Sequence, residues 1–129
     1  MEPSGFAAVG IGAALGAWLR WWFGVRLNPV FPTLPLGTLA ANLLGGLLVG
    51  VAVAFFNRHP SVAPEARLLV ITGFMGGLTT FSTFSSEVVG LLERGDYLWA
   101  GVAAASHLFG SLALTGIGIA LVAAASRAS

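Results

Sequence analysis

The chain contains no cysteine, so disulfide frameworks, thiolate metal sites and cysteine nucleophiles are excluded, while the redox compartment stays open. It has no lysine either: all six basic residues are arginine, against five acids. Charged residues make up only 9% of the chain, where a soluble domain carries roughly 25%, which argues against a soluble bundle. Histidine occurs twice, and the distance in sequence between His59 and His107 speaks against a histidine-pair metal site. No apolar stretch holds a central Asp or Glu, the group that a proton- or cation-coupled carrier is expected to place at membrane depth.

What is present is apolar surface. Hydrophobic residues reach 57% and the mean hydropathy is +0.90. With 129 residues and ~20 apolar residues needed per bilayer crossing, there is room for about four spans and no soluble catalytic domain, so an enzyme is not expected. The apolar stretches run approximately 5–25, 35–56, 67–92 and 98–125. Between them lie Pro- and charge-bearing loops around Asn28 to Pro35, Asn57 to Glu65 and Glu93 to Asp96. Trp18, Trp21, Trp22, Tyr97 and Trp99 sit at the edges of these stretches, where aromatic belts form. Glu2, instead of a basic run, precedes the first stretch, which is therefore read as a retained helix and not a cleaved signal peptide. The expected fold is one all-α, four-helix transmembrane domain over residues 1–129. The lipid bilayer is its expected surrounding, and nucleic acid is not expected as a partner.

The arginines test orientation. If the N-terminus, the second loop and the C-terminus share a side, that side holds Arg58, Arg67 and Arg127; the other holds Arg26 and Arg94, with Arg20 nearby. This near tie predicts insertion in both orientations, which would permit an antiparallel homodimer. One fixed orientation, set by something outside the charge count, is the alternative. Glycines spaced as Gly12/Gly16 and Gly46/Gly50 let helices approach closely in lipid.

An ionisable group at membrane depth is a functional hypothesis by default. Arg20, late in the first stretch, reads either as a side chain snorkelling beside Trp21 and Trp22 or as a fixed positive charge at a pore mouth. In the second stretch Thr38 and Asn42 share a face. The Asn42 amide can donate two hydrogen bonds to a dehydrated anion or serve as glue between helices. In the fourth stretch His107, Ser111 and Thr115 follow at four-residue steps beside Ser106. They form either a polar track or hydroxyls bonded back to their own helix.

The densest signal is Thr72-Gly73-Phe74-Met75-Gly76-Gly77-Leu78-Thr79-Thr80-Phe81-Ser82-Thr83-Phe84-Ser85-Ser86-Glu87. Adjacent glycines followed by clustered hydroxyls disfavour a plain lipid-facing helix, and irregular backbone at membrane depth must be buried in protein or line a cavity. A break near Gly76-Gly77 would free carbonyls for a cation and aim a half-helix N-terminus at an anion. Beyond it, at about 100° per residue, Thr79, Ser82, Thr83 and Ser86 form one stripe, with Phe81 and Phe84 on nearly the opposite face. The rings are either ordinary packing or edge-on partners for a small anion. Glu87 reads as an interfacial residue near the end of the span, with a role at the mouth as the second reading.

Three blocks, Gly12 to Trp21, Pro35 to Gly45 and Thr72 to Glu87, resemble in order the Fluc (CrcB) fluoride channels over nearly the whole chain. The resemblance implies a dual-topology antiparallel homodimer with two pores in the cell inner membrane, passively exporting cytoplasmic fluoride. Carried over residue by residue, it implies Phe81 and Phe84 as pore-lining rings and Asn42, Ser82 and Thr83 as anion-contacting groups. It further implies Arg20 as the family's first-helix arginine, and a structural sodium ion held by backbone carbonyls of Gly76 and Thr79 from both subunits. Family members often carry a Tyr four residues before a fourth-helix Ser; with Ser106 as that Ser, the position is Val102 here, which bears on Ser106 and Ser111. A multidrug-type exporter needs a membrane-embedded Glu in the first span, where this chain has Arg20. A non-transporting assembly subunit would not need the glycine pair and the hydroxyls.

Overall fold

The computed structural model describes all residues 1–129. It is all-helical, and four helical segments are long and apolar enough to cross a membrane: Pro3–Val30, Leu36–Arg58, Pro64–Glu93 and Tyr97–Ala128. The helices extend somewhat beyond the apolar stretches because their last turns take in Arg26, Arg58 and Arg127, whose charge suits the carbonyl end of a helix. In the first loop the Asn28 side chain accepts from the backbone N–H groups of Gly37 and Thr38 at 2.8 and 3.2 Å. It thereby satisfies two of the amides that the start of the second helix leaves without intrahelical partners.

Burial here is small-residue burial. The first helix buries Gly5, Gly12 and Gly16, and the second buries Gly37, Ala41, Gly45, Gly46, Gly50, Ala52 and Ala54. Lipid tails are as apolar as leucine, so helices associate through close backbone approach instead of hydrophobic transfer. Two seams do this. Along the first, a Cβ on Gly12 or Gly16 would overlap the Leu69 or Phe74 carbonyl oxygen, and one on Gly77 would overlap that of Ala13. Along the second, a Cβ on Gly50 would overlap the Thr115 carbonyl oxygen, and one on Gly118 that of Leu47. Thr115 ties this seam with its hydroxyl 2.9 Å from the Gly46 carbonyl oxygen.

The third crossing is made in pieces: Pro64–Arg67, a wide π-helical stretch Leu68–Met75, one turn Gly76–Leu78, and, after non-helical residues 79–81, the helix Ser82–Glu93. The interruption thus falls after the glycine pair and not at it. Gly76 and Gly77 are helical, and Gly77 is used for the approach to the first helix. Thr79 is the residue that leaves the helix, with φ −86° and ψ 154°.

Replacing Gly50 with Val is expected to remove the folded protein from the monodisperse peak in size-exclusion chromatography. Gly116→Ala, where nothing lies within 4 Å of the added carbon, is expected to stay within ~1 kcal/mol of the parent in thermal unfolding.

Candidate functional site

In a continuous helix the Thr80 N–H would close on the Gly76 carbonyl, the Phe81 N–H on that of Gly77 and the Thr83 N–H on that of Thr79. Other groups intervene here. Thr80 N–H donates to Asn42 Oδ1 at 2.8 Å, Arg20 Nε donates to the Gly77 carbonyl at 3.0 Å, and Thr83 N–H donates to Thr80 Oγ1 at 3.1 Å. The carbonyls of Gly76 and Thr79 are left with no hydrogen-bond donor in the chain. Arg20 is therefore anchored to the interrupted backbone of the third span.

Asn42 holds the interruption from the second helix by a reciprocal pair of bonds. Its Oδ1 accepts from Thr80 N–H, and its Nδ2 donates to the Thr80 carbonyl at 2.9 Å. Nδ2 also lies 2.9 Å from His107 Nδ1 on the fourth helix, so both amide hydrogens are engaged within the chain. His107 is only 4% exposed and stacks on Phe84 with ring centroids 4.4 Å apart, while its Nε2 is buried without a partner. An unmet buried donor costs about 1–3 kcal/mol. Phe84 in turn meets Phe81 edge-on, centroids 5.6 Å apart and ring planes at 76°. Phe81 itself is 78% exposed.

Two cavities flank the Asn42–Thr80 pair, and Thr80 lines both. The larger, about 510 Å³, brings together Asn42, Phe81, Phe84 and Ser111 with Gly76, Thr79, His107 and Thr115. The smaller, about 300 Å³, brings together Arg20, Thr38 and Thr83. Ser82 stands beside them, its hydroxyl 3.5 Å from that of Thr80; Ser106 lines neither cavity. Thr38 is 4% exposed and donates to Glu87 Oε2 at 2.7 Å, so Glu87 is tied to the second helix.

Thr80 was the residue that sequence reasoning passed over, because it acts chiefly through its backbone. The only available signal was its place inside the hydroxyl cluster. His107 was visible as part of a spacing pattern, but not as the partner of Asn42.

The fold and this geometry define a small four-span membrane protein whose third crossing carries an irregular polar segment between two cavities. The family model described as CrcB-like protein, Camphor Resistance (CrcB), matches residues 7–119, and the chain belongs to that family. Its relatives include the Fluoride-specific ion channel FluC of Cupriavidus metallidurans, 65% identical over 119 residues, which are 92% of this chain and 94% of that protein. The protein of the same description from Nitrosospira multiformis is 66% identical over 112 residues, 87% and 88% of the two chains. That from Pseudomonas putida is 58% identical over 113 residues, 88% and 89% of the two.

Asn42→Ala would leave the Thr80 N–H and C=O unpaired at membrane depth. A loss of about 1–3 kcal/mol per unmet group is expected, read as a lowered midpoint in thermal unfolding together with faster hydrogen exchange at the Thr80 amide.

Proposed function

We propose that this chain is a fluoride-specific ion channel that lets fluoride leave the cytoplasm passively across the cell inner membrane, working as an antiparallel, dual-topology homodimer with two pores. The observation that carries the reading is the polar interruption at residues 79–81, flanked by two cavities, in a chain about two-thirds identical to proteins described as fluoride-specific channels. An exporter or an assembly subunit is not favoured, since neither accounts for this segment. The chemistry is passage of an ion and not catalysis.

In this reading Phe81 and Phe84 present ring edges, which carry positive charge density, to the anion. Ser82, Thr83 and Ser111 offer hydroxyl donors, with Ser106 as a more distant member of the fourth-helix track. Thr38 and Arg20 belong to the smaller cavity, where the guanidinium supplies a fixed positive charge. Asn42, with both its hydrogens engaged, takes part by holding Thr80 in place. The exposure of Phe81 and the open groove beside it support a second copy as the covering surface, and the near tie of arginines supports an inverted one.

The residues present also fit a structural sodium ion at the centre of such a dimer. No group of three His, Asp or Glu side chains converges anywhere, whereas the Gly76 and Thr79 carbonyls have lost their helical donors. Two such oxygens from each of two protomers would hold the ion, and its charge would tie the subunits together.

Purified protein in liposomes is expected to release fluoride passively and much faster than chloride; equal rates for the two anions, or no release of either, would sink the reading. Phe81→Ile is expected to lower fluoride efflux on the order of fivefold, the equivalent of the roughly 1 kcal/mol an aromatic edge contributes, with the dimer intact in size-exclusion chromatography. Because the chain has no cysteine of its own, Ser129→Cys in sealed vesicles reports topology. An impermeant maleimide is expected to label about half the copies if both orientations insert, and all or none if one does.

A further inference from the structure

We propose that His107 is a positioning residue of the ion pathway. Its Nδ1 lone pair, available only when the ring proton sits on Nε2, holds the Asn42 amide that in turn holds residues 79–81. The proposal rests on the channel reading where flux is its readout. It stands on a chain of hydrogen-bond roles that leaves no freedom.

The Thr80 N–H is a donor whatever else is assigned, so the Asn42 atom 2.8 Å from it is the carbonyl oxygen. The amide nitrogen therefore faces the Thr80 carbonyl and His107 Nδ1, each at 2.9 Å. An amide nitrogen has two hydrogens and no free lone pair, so it donates to both. Nδ1 must then accept, and a neutral imidazole that accepts at Nδ1 carries its proton at Nε2. The unpartnered buried atom of this ring is Nε2. The fold thus leaves that N–H unmet and keeps Nδ1 free of a proton.

The ring cannot turn freely to relieve this. It is 4% exposed, and Phe84 stacks on it with an interplanar angle of 27°. One imidazole therefore fixes two parts of the pathway, the Asn42–Thr80 clamp through Nδ1 and the Phe84 ring through its face.

The two nitrogens can be told apart by substitution. The Asn side chain can place an acceptor oxygen near the position of Nδ1, the Gln side chain places its polar atoms near that of Nε2, and Leu supplies neither. His107→Asn is expected to keep fluoride efflux from liposomes within about threefold of the parent, whereas His107→Gln and His107→Leu lose about tenfold or more, the order of effect when a buried hydrogen-bond partner is removed. The independent readout is nitrogen-15 NMR of histidine-labelled protein in the His59→Gln background, which leaves one imidazole. Nδ1 is expected at the chemical shift of an unprotonated ring nitrogen, and Nε2 at that of a protonated one. Equal efflux from the three variants, whether high or low, or a proton on Nδ1, overturns the proposal. Absence of fluoride efflux from the parent would instead strike the channel reading, leaving the NMR spectrum to decide the tautomer.

Discussion

Two hydrogen bonds between one side-chain amide and one backbone unit, Asn42 with Thr80, are what the rest of the site depends on. Within a bilayer a chain that leaves the helix has no water to take up its freed groups. Asn42 reproduces for Thr80 what a neighbouring peptide would offer in a β-ladder, an acceptor and a donor side by side. With that residue secured, the Gly76 carbonyl is released. Arg20 takes the Gly77 carbonyl, and the Thr80 hydroxyl takes the Thr83 N–H as the next helix begins. Each later feature substitutes for one helical bond that the pair has displaced.

The glycine seams are what bring these partners within reach. A side-chain amide reaches a backbone on another helix only if the two approach closely. Gly45 meets Thr79 and Leu78 of the third span, a close approach that a Cβ there would block. The seam of Gly46 and Gly50 against Ser111 and Thr115 carries the fourth helix, and with it His107, to the other side of Asn42. Glycine spacing and the polar cluster are therefore one design: the first sets distances that the second requires.

This explains what could be read in the sequence and what could not. Four spans were legible because hydropathy and length act over ~20 residues at a time, and the polar run was legible because it violates that pattern. The place of the interruption was legible only approximately. Adjacent glycines suggest a break by backbone freedom, yet Gly77 is used for contact with Ala13 and remains helical. Thr79 leaves the helix because Asn42, 37 positions earlier in the numbering, offers Thr80 better-placed partners. The partner of Glu87 was hidden for a similar reason: a carboxylate near the end of an apolar stretch gives no sign of the Thr38 hydroxyl that donates to it from the second helix at 2.7 Å. Both outcomes depend on pairing across helices, which no local pattern encodes.

The interruption also separates electrostatic signs over a very short length of chain. The turn Gly76–Leu78 ends in carbonyls that have lost their helical donors, the negative end of a helix, and Ser82–Glu93 begins with amides, the positive end. A cation and an anion would thus be favoured by neighbouring parts of the same segment, one by oxygens of the backbone and the other by N–H groups, hydroxyls and ring edges. A continuous helix could offer neither, because each carbonyl would already hold the amide one turn on. Placing a proposed structural cation beside a proposed anion path thus follows from one displaced set of hydrogen bonds, with Arg20 adding positive charge on the far side of Thr80.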